Sequence, residues 1–162
     1  MTGHIVRYRR FSLPVLALVA SLGAGSAFAV DTPTKEAPDL GPVRAKIKAK
    51  DFKSALVDLN AMINDNVQHA DVYNLMGFSL RKTGDYKTAY TFYRKALDFD
   101  PDHKGALEYL GELYVETGDL PKARENLARL EKLCPSGCEE REDLEKAIAT
   151  ASAAPQGAKV TN

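Results

Sequence analysis

The sequence predicts an all-α protein built from stacked helical hairpins, on three observations. Landmark residues recur every 34 positions, apolar residues over 71–82 and 105–116 fall at helical spacing without a proline, and no window alternates with the two-residue period of a strand. A shift of 34 places Gly77 on Gly111, Thr83-Gly84-Asp85 on Thr117-Gly118-Asp119, Ala89 on Ala123 and Pro101 on Pro135. One shift earlier, Asp51 matches Asp85 and Ala55 matches Ala89.

Each element then follows in order. The first helix starts near Asp39 to Pro42, with proline tolerated in its first turn. It is short and atypical: Val43 stands where Gly77 and Gly111 align, and Pro42 where Met76 and Leu110 align. A second helix spans about 52–64, with Phe52, Ala55, Leu56, Leu59, Met62 and Ile63 on its apolar face. Helices over 71–82 and 105–116 end at Gly84 and Gly118, because glycine takes the left-handed cap without penalty. Asp85 and Asp119 serve as N-caps of helices over about 86–99 and 120–133, which Pro101 and Pro135 stop. A seventh, amphipathic helix runs from Glu139 to Ile148. Acids crowd its N-terminus, where the helix dipole favours them, and Leu144, Ala147 and Ile148 cover the last hairpin.

These residues resemble the tetratricopeptide repeat, whose pattern is W-x2-L-G-x2-Y, A-x3-F, A and P. The chain has Tyr73-x2-Met76-Gly77-x2-Leu80, Ala89-x3-Tyr93, Ala96 and Pro101, then Leu107-x2-Leu110-Gly111-x2-Tyr114, Ala123-x3-Leu127, Leu130 and Pro135. The resemblance covers about residues 40–150. It implies a right-handed superhelical stack of about three hairpins with a C-terminal capping helix, and a concave surface, lined by the first helix of each hairpin, that holds a peptide or a helix. In this reading Gly77, Ala89 and their equivalents let paired helices approach closely.

Outside that region the chain changes character. Residues 1–29 join a basic head (Arg7, Arg9 and Arg10) to an apolar stretch from about Phe11 to Ala24 and an Ala27-Phe28-Ala29 cleavage site, which reads as a secretory signal peptide cut after Ala29. The expected location is periplasmic or secreted, with no stable membrane anchor after cleavage. Segments 30–39 and 151–162 are polar or proline-containing and read as a disordered linker and tail flanking a domain over 40–150. The formal net charge is zero, and removing the first 29 residues leaves 19 basic against 22 acidic residues. That balance excludes a nucleic-acid binder of the usual electrostatic kind.

Few residues offer chemistry. There is no Gly-rich phosphate loop and no G-x-S-x-G, so no catalytic residue and no cofactor is expected. His69 and His103, also 34 apart, read as solvent-facing corner residues too far apart to share a metal. Cys134 and Cys138 flank Pro135-Ser136-Gly137 at the last corner. In an exported protein they read as a structural disulfide, with a thiol-redox or sensing role and metal binding as alternatives.

The main expectation is non-catalytic binding of a protein or peptide partner, with structural self-association as a further alternative. Asp71, Asn74, Phe78, Arg81 and Lys82 share one helix face, and Glu108, Glu112 and Glu116 share the equivalent face of the next. With Arg44, Lys46 and Lys48 from the first helix, one wall of the groove reads as basic and the other as acidic. Some of these charges are expected to pair across helices, such as Lys82 with Glu116. Phe78 reads as the apolar anchor. The carboxylate-clamp function known in the family is not implied, because Asn74 alone matches its Lys and Asn pattern poorly.

Overall fold

The computed structural model describes residues 37–153, so the signal segment, most of the linker and residues 154–162 lie outside the described residues. Seven helices occupy the described residues: α1 (Gly41–Lys48), α2 (Phe52–Asn64), α3 (Ala70–Lys82), α4 (Tyr86–Phe99), α5 (Lys104–Glu116), α6 (Leu120–Leu133) and α7 (Glu139–Ala153). Helices α1/α2, α3/α4 and α5/α6 form three hairpins, and α7 packs on both helices of the last. Helix α7 continues to Ala153, so Ala151–Ala153, which composition assigns to the tail, are helical.

The corners obey one rule of local chemistry. Asp51, Asp85 and Asp119 each cap the helix that follows, accepting a hydrogen bond from the backbone N–H three residues on, in Ser54, Thr88 and Lys122. That gives a partner to one of the donors every helix start leaves open. The residue before each aspartate is left-handed: φ is +89° at Gly84 and +84° at Gly118. In the degenerate first repeat the same position is Lys50, with φ 59°. The turn geometry therefore persists there without the glycine that makes it cheap.

Small residues set the helix spacing. Ala55, Ala89 and Ala123, one per repeat, have no exposed surface. A Cβ on Gly77 would meet the Tyr93 ring of α4 at 2.7 Å, so that glycine is the close contact within its hairpin. Gly111 behaves differently from the expectation of a contact between paired helices: its Cβ would meet Leu144 of α7 at 2.5 Å. The seventh helix lies where a further hairpin would begin, and Leu144 takes the room the glycine leaves. The core falls into adjoining clusters, among them Val43, Leu59, Val72 and Met76, then Tyr73, Ala96 and Ala106, then Leu107, Leu130, Leu144 and Ile148, with half-buried Ile63 and Leu97 packed between them.

Gly111→Leu should therefore detach α7 before it disturbs the α5/α6 pair. Overpacking of this kind costs about 1–3 kcal/mol. Urea unfolding should show that loss, and combining Gly111→Ala with Leu144→Ala should recover part of what Gly111→Ala alone costs. An unchanged midpoint for Gly111→Leu would contradict the assigned contact.

Candidate functional site

The odd-numbered helices converge on one side of the stack. Arg44 of α1, Asp71 and Asn74 of α3, Glu108 and Tyr109 of α5, and Glu140 and Asp143 of α7 border a cavity of about 310 Å³. Of the eight residues expected to line the groove, Asp71, Asn74 and Glu108 border this cavity, whereas Phe78, Arg81, Lys82, Glu112 and Glu116 do not.

Arg81 is not a groove cation. Its side chain is 1% exposed, and it pairs with Glu112 and with Glu116, the latter at 2.6 Å. Its Nε–H donates to the Tyr93 hydroxyl at 3.3 Å, and its guanidinium lies 5.6 Å from the Phe78 ring centroid and 5.8 Å from that of Tyr109. Desolvation is the largest influence on this group and opposes its charge. Tyr93, Glu112 and Glu116 together outweigh it, so the pKa is raised. The expected Lys82–Glu116 pairing is replaced by Arg81–Glu116, and the Lys82 ammonium sits 5.2 Å above the Phe78 ring instead. The Arg81 fork meets both carboxylates at once, which a single ammonium does poorly.

Phe78 is half-buried between Phe52, 6.2 Å away, and Tyr109, at 4.8 Å between centroids. The basic wall also thins at α1, where Lys46 turns to Asp58 of its own hairpin at 2.5 Å and leaves Arg44 facing the cavity.

The two histidines are not solvent-facing corners. Each caps a helix: His69 Nδ1 accepts from the Asp71 N–H at 3.2 Å, and His103 Nδ1 from the Ala106 N–H at 3.1 Å. Because Nδ1 of His103 accepts, the ring proton sits on Nε2, which donates to Asp71 Oδ1 at 3.1 Å. That bond is the main cause of a lowered Asp71 pKa; burial opposes it and the Arg44 guanidinium adds to it. The 34-residue spacing thus places two capping groups, and the second ties α5 to α3. A histidine cap carries little sequence signal, since Ser, Thr, Asp and Asn dominate that role.

Glu108 is the outlier. It is 7% exposed, and among the described residues no hydrogen bond or ion pair reaches its carboxylate. Desolvation pushes its pKa up to about 8, and Glu112, Asp143 and Glu140 push in the same direction against Arg81. Asn74, its equivalent one repeat earlier, is 4% exposed, and its Oδ1 has no partner. Tyr109 beside them is raised to about 12, chiefly by burial.

At the far corner the sulfurs of Cys134 and Cys138 lie 2.09 Å apart, with their Cα atoms 6.0 Å apart, joining the end of α6 to the start of α7. Among the described residues no three His, Cys, Asp or Glu side chains converge to hold a metal ion, and no helix is long and apolar enough to cross a membrane.

Glu108→Gln removes a charge that the fold accommodates badly. A carboxyl whose folded pKa is raised gives stability that is full below its unfolded value of 4.5 and is lost as pH rises through about 8. The variant should match wild type near pH 4 and exceed it by on the order of 1–2 kcal/mol near pH 9, the open side of the cavity screening the rest. Urea melts at the two pH values check this.

Comparison with known proteins agrees with this architecture. A family model for the tetratricopeptide repeat matches residues 80–133. The chain is 38% identical over 66 residues to the protein described as "Uncharacterized protein ycf37" from Pyropia yezoensis, covering 41% of this chain and 36% of that one. It is 27% identical over 84 residues to the ycf37 protein of Guillardia theta, covering 49% and 47%. The matched region thus spans less than half of either relative. Among solved structures, PcrH in complex with the chaperone binding region of PopD has a TM-score of 0.59 at 17% identity, covering 70% of this chain and 85% of that chain. The Yersinia enterocolitica type III secretion translocator chaperone SycD scores 0.59 at 14% identity, covering 71% and 90%. The first such domain of human RPAP3 also scores 0.59, at 12% identity, covering 71% and 93%. Three capped hairpins in a 34-residue register, with a tetratricopeptide-repeat model matching residues 80–133 from the end of α3 through α6, support a tetratricopeptide-repeat architecture for the described residues.

Proposed function

We propose that this protein is an exported, non-catalytic adaptor or assembly factor that holds a segment of another polypeptide on its concave side. The observation that carries this reading is the concave cavity itself. The helices α1, α3, α5 and α7 border it with polar side chains, and one of these, the buried Asn74, leaves its Oδ1 without a partner. A repeat stack that buried this side only for stability would line it with apolar contacts, as it does between hairpins. PcrH, which shares the fold, has been solved with the chaperone binding region of PopD, a precedent for polypeptide capture by this architecture.

Export rests on the leader-like first 29 residues. In an oxidising compartment Cys134 and Cys138 act as a staple that holds α7 against the last hairpin. Leu144 of α7 fills the space at Gly111, and Glu140 and Asp143 border the cavity, so the staple also fixes one end of the binding surface.

Three measurements test the proposal. A photo-cross-linking residue placed at Lys82 or Glu116, on the inner helices, should capture a polypeptide in the native host, whereas one at Lys87 or Arg94 of α4 should not; the reverse pattern would move the site to the other face. N-terminal sequencing of the exported form should begin at Val30, and retention of Met1 would remove the export argument. Replacing both cysteines by serine should cost about 2 kcal/mol under non-reducing conditions, the chain-entropy value for so short a loop, while leaving the cross-link in place. Lost capture at unchanged stability would instead favour a thiol-dependent role.

A further inference from the structure

Asn74 and Glu108 occupy equivalent positions of α3 and α5, one 34-residue step apart, and both border the concave cavity. Both are more than nine-tenths buried. Asn74 Oδ1 has no hydrogen-bond partner, and no bond reaches the Glu108 carboxylate among the described residues. Buried acceptors without donors are rare in native proteins, because each carries a desolvation cost that nothing offsets. Asn74 Oδ1 therefore lacks a donor from this chain, and the Glu108 carboxyl, which borders the same cavity, is bonded to no cation among the described residues.

The nearby cations do not fill that role. Arg81 is engaged by Glu112 and Glu116, and Arg44 faces Asp71 at 3.6 Å. The acids on α7 add negative potential, since Glu140 and Asp143 both raise the Glu108 pKa. Glu140 lies in the first turn of α7, where the helix dipole accounts for it. Glu108 sits in the middle of α5 and has no such compensation.

We propose that this cavity receives one lysine or arginine side chain of the bound polypeptide, with Glu108 as its counter-ion and Asn74 Oδ1 as a second acceptor. The proposal rests on the concave-side reading above and adds the chemistry of the captured residue. The volume of about 310 Å³ is roughly ten times the share of one water molecule in the liquid, enough for a long side chain and its remaining hydration. An acidic side chain would meet the carboxylates of Glu139, Glu140 and Asp143 there. A metal ion would need a cluster of ligands that the described residues do not form. An ammonium or guanidinium supplies N–H donors to both side chains, and its charge favours the ionised form of Glu108.

The test is selection of random peptides displayed on phage against the mature wild-type protein and against Glu108→Gln. Wild type should enrich peptides with a lysine or arginine at one fixed position. Changing that residue to norleucine or citrulline in the synthetic peptide should weaken binding at least about tenfold, a difference of 1.4 kcal/mol. Against Glu108→Gln the basic and neutral peptides should bind alike. Circular dichroism establishes that the variant is folded, and a second variant, Glu140→Gln with Asp143→Asn, should lower the preference for the basic residue several-fold without touching α5. Amide chemical shifts locate the peptide. Peptides that perturb α3 and α5 with no basic preference, or with one that survives Glu108→Gln, overturn this proposal and leave the concave-side reading standing. Failure to enrich any peptide that perturbs those helices overturns both. Binding of free arginine amide without binding of peptide-borne arginine would also overturn it, since the occupant would then be a small cation.

Discussion

The buried guanidinium of Arg81 is the interaction around which the concave side is organised. A charge this deep is tolerated only when its donors are met, and here they reach three oxygen-bearing groups, on Tyr93, Glu112 and Glu116. Two of those acceptors belong to the following repeat, so satisfying the charge fixes how the α5/α6 hairpin sits on α3/α4. The flanking rings of Phe78 and Tyr109 exclude water from the cation and are themselves held in place by it. Without Arg81, Glu112 and Glu116 would face each other one turn apart on the same helix with nothing to offset their repulsion.

This pairing also determines which charge is left over. Three acids line one face of α5, and Arg81 consumes the two nearer the C-terminus. Glu108, one turn earlier, borders the same cavity as Asn74 and is bonded to no cation among the described residues. A second inter-repeat tie, from His103 to Asp71, closes the neighbouring stretch of the same surface. Between the two ties remains a polar cavity with acceptors in excess of donors, which is why the chemistry of the site points toward a basic group.

The end of the stack obeys the same steric logic as its interior. Gly77 meets Tyr93 within its own hairpin, whereas Gly111 meets Leu144 of the capping helix. Leu144 and Ile148 are buried in the last core cluster, each contributing roughly 1.5–3 kcal/mol as fully buried aliphatic side chains. The same helix presents Glu140 and Asp143 to the concave side, so the element that seals the core also completes the rim of the cavity.

The helices were legible in the sequence because their signals are local. Asp85 and Asp119 cap through hydrogen bonds three residues away, Gly84 and Gly118 are left-handed whatever lies beyond them, and the 34-residue register repeats these features for any reader to align. The first helix was also legible as a short one, although Lys50 takes a left-handed turn that no glycine announces. Side-chain partnership was not legible. Arg81 and Lys82 are adjacent cations on one helix, and only the packing of α5 buries the first and leaves the second exposed over Phe78. His69 and His103 share a spacing that says they are equivalent, but their role as caps depends on ring orientation, and the link from His103 to Asp71 spans two repeats. By itself the sequence determined the fold. Tertiary structure alone decided which charges on the concave side cancel, because a charge in a low-dielectric interior is controlled by neighbours far away in the chain.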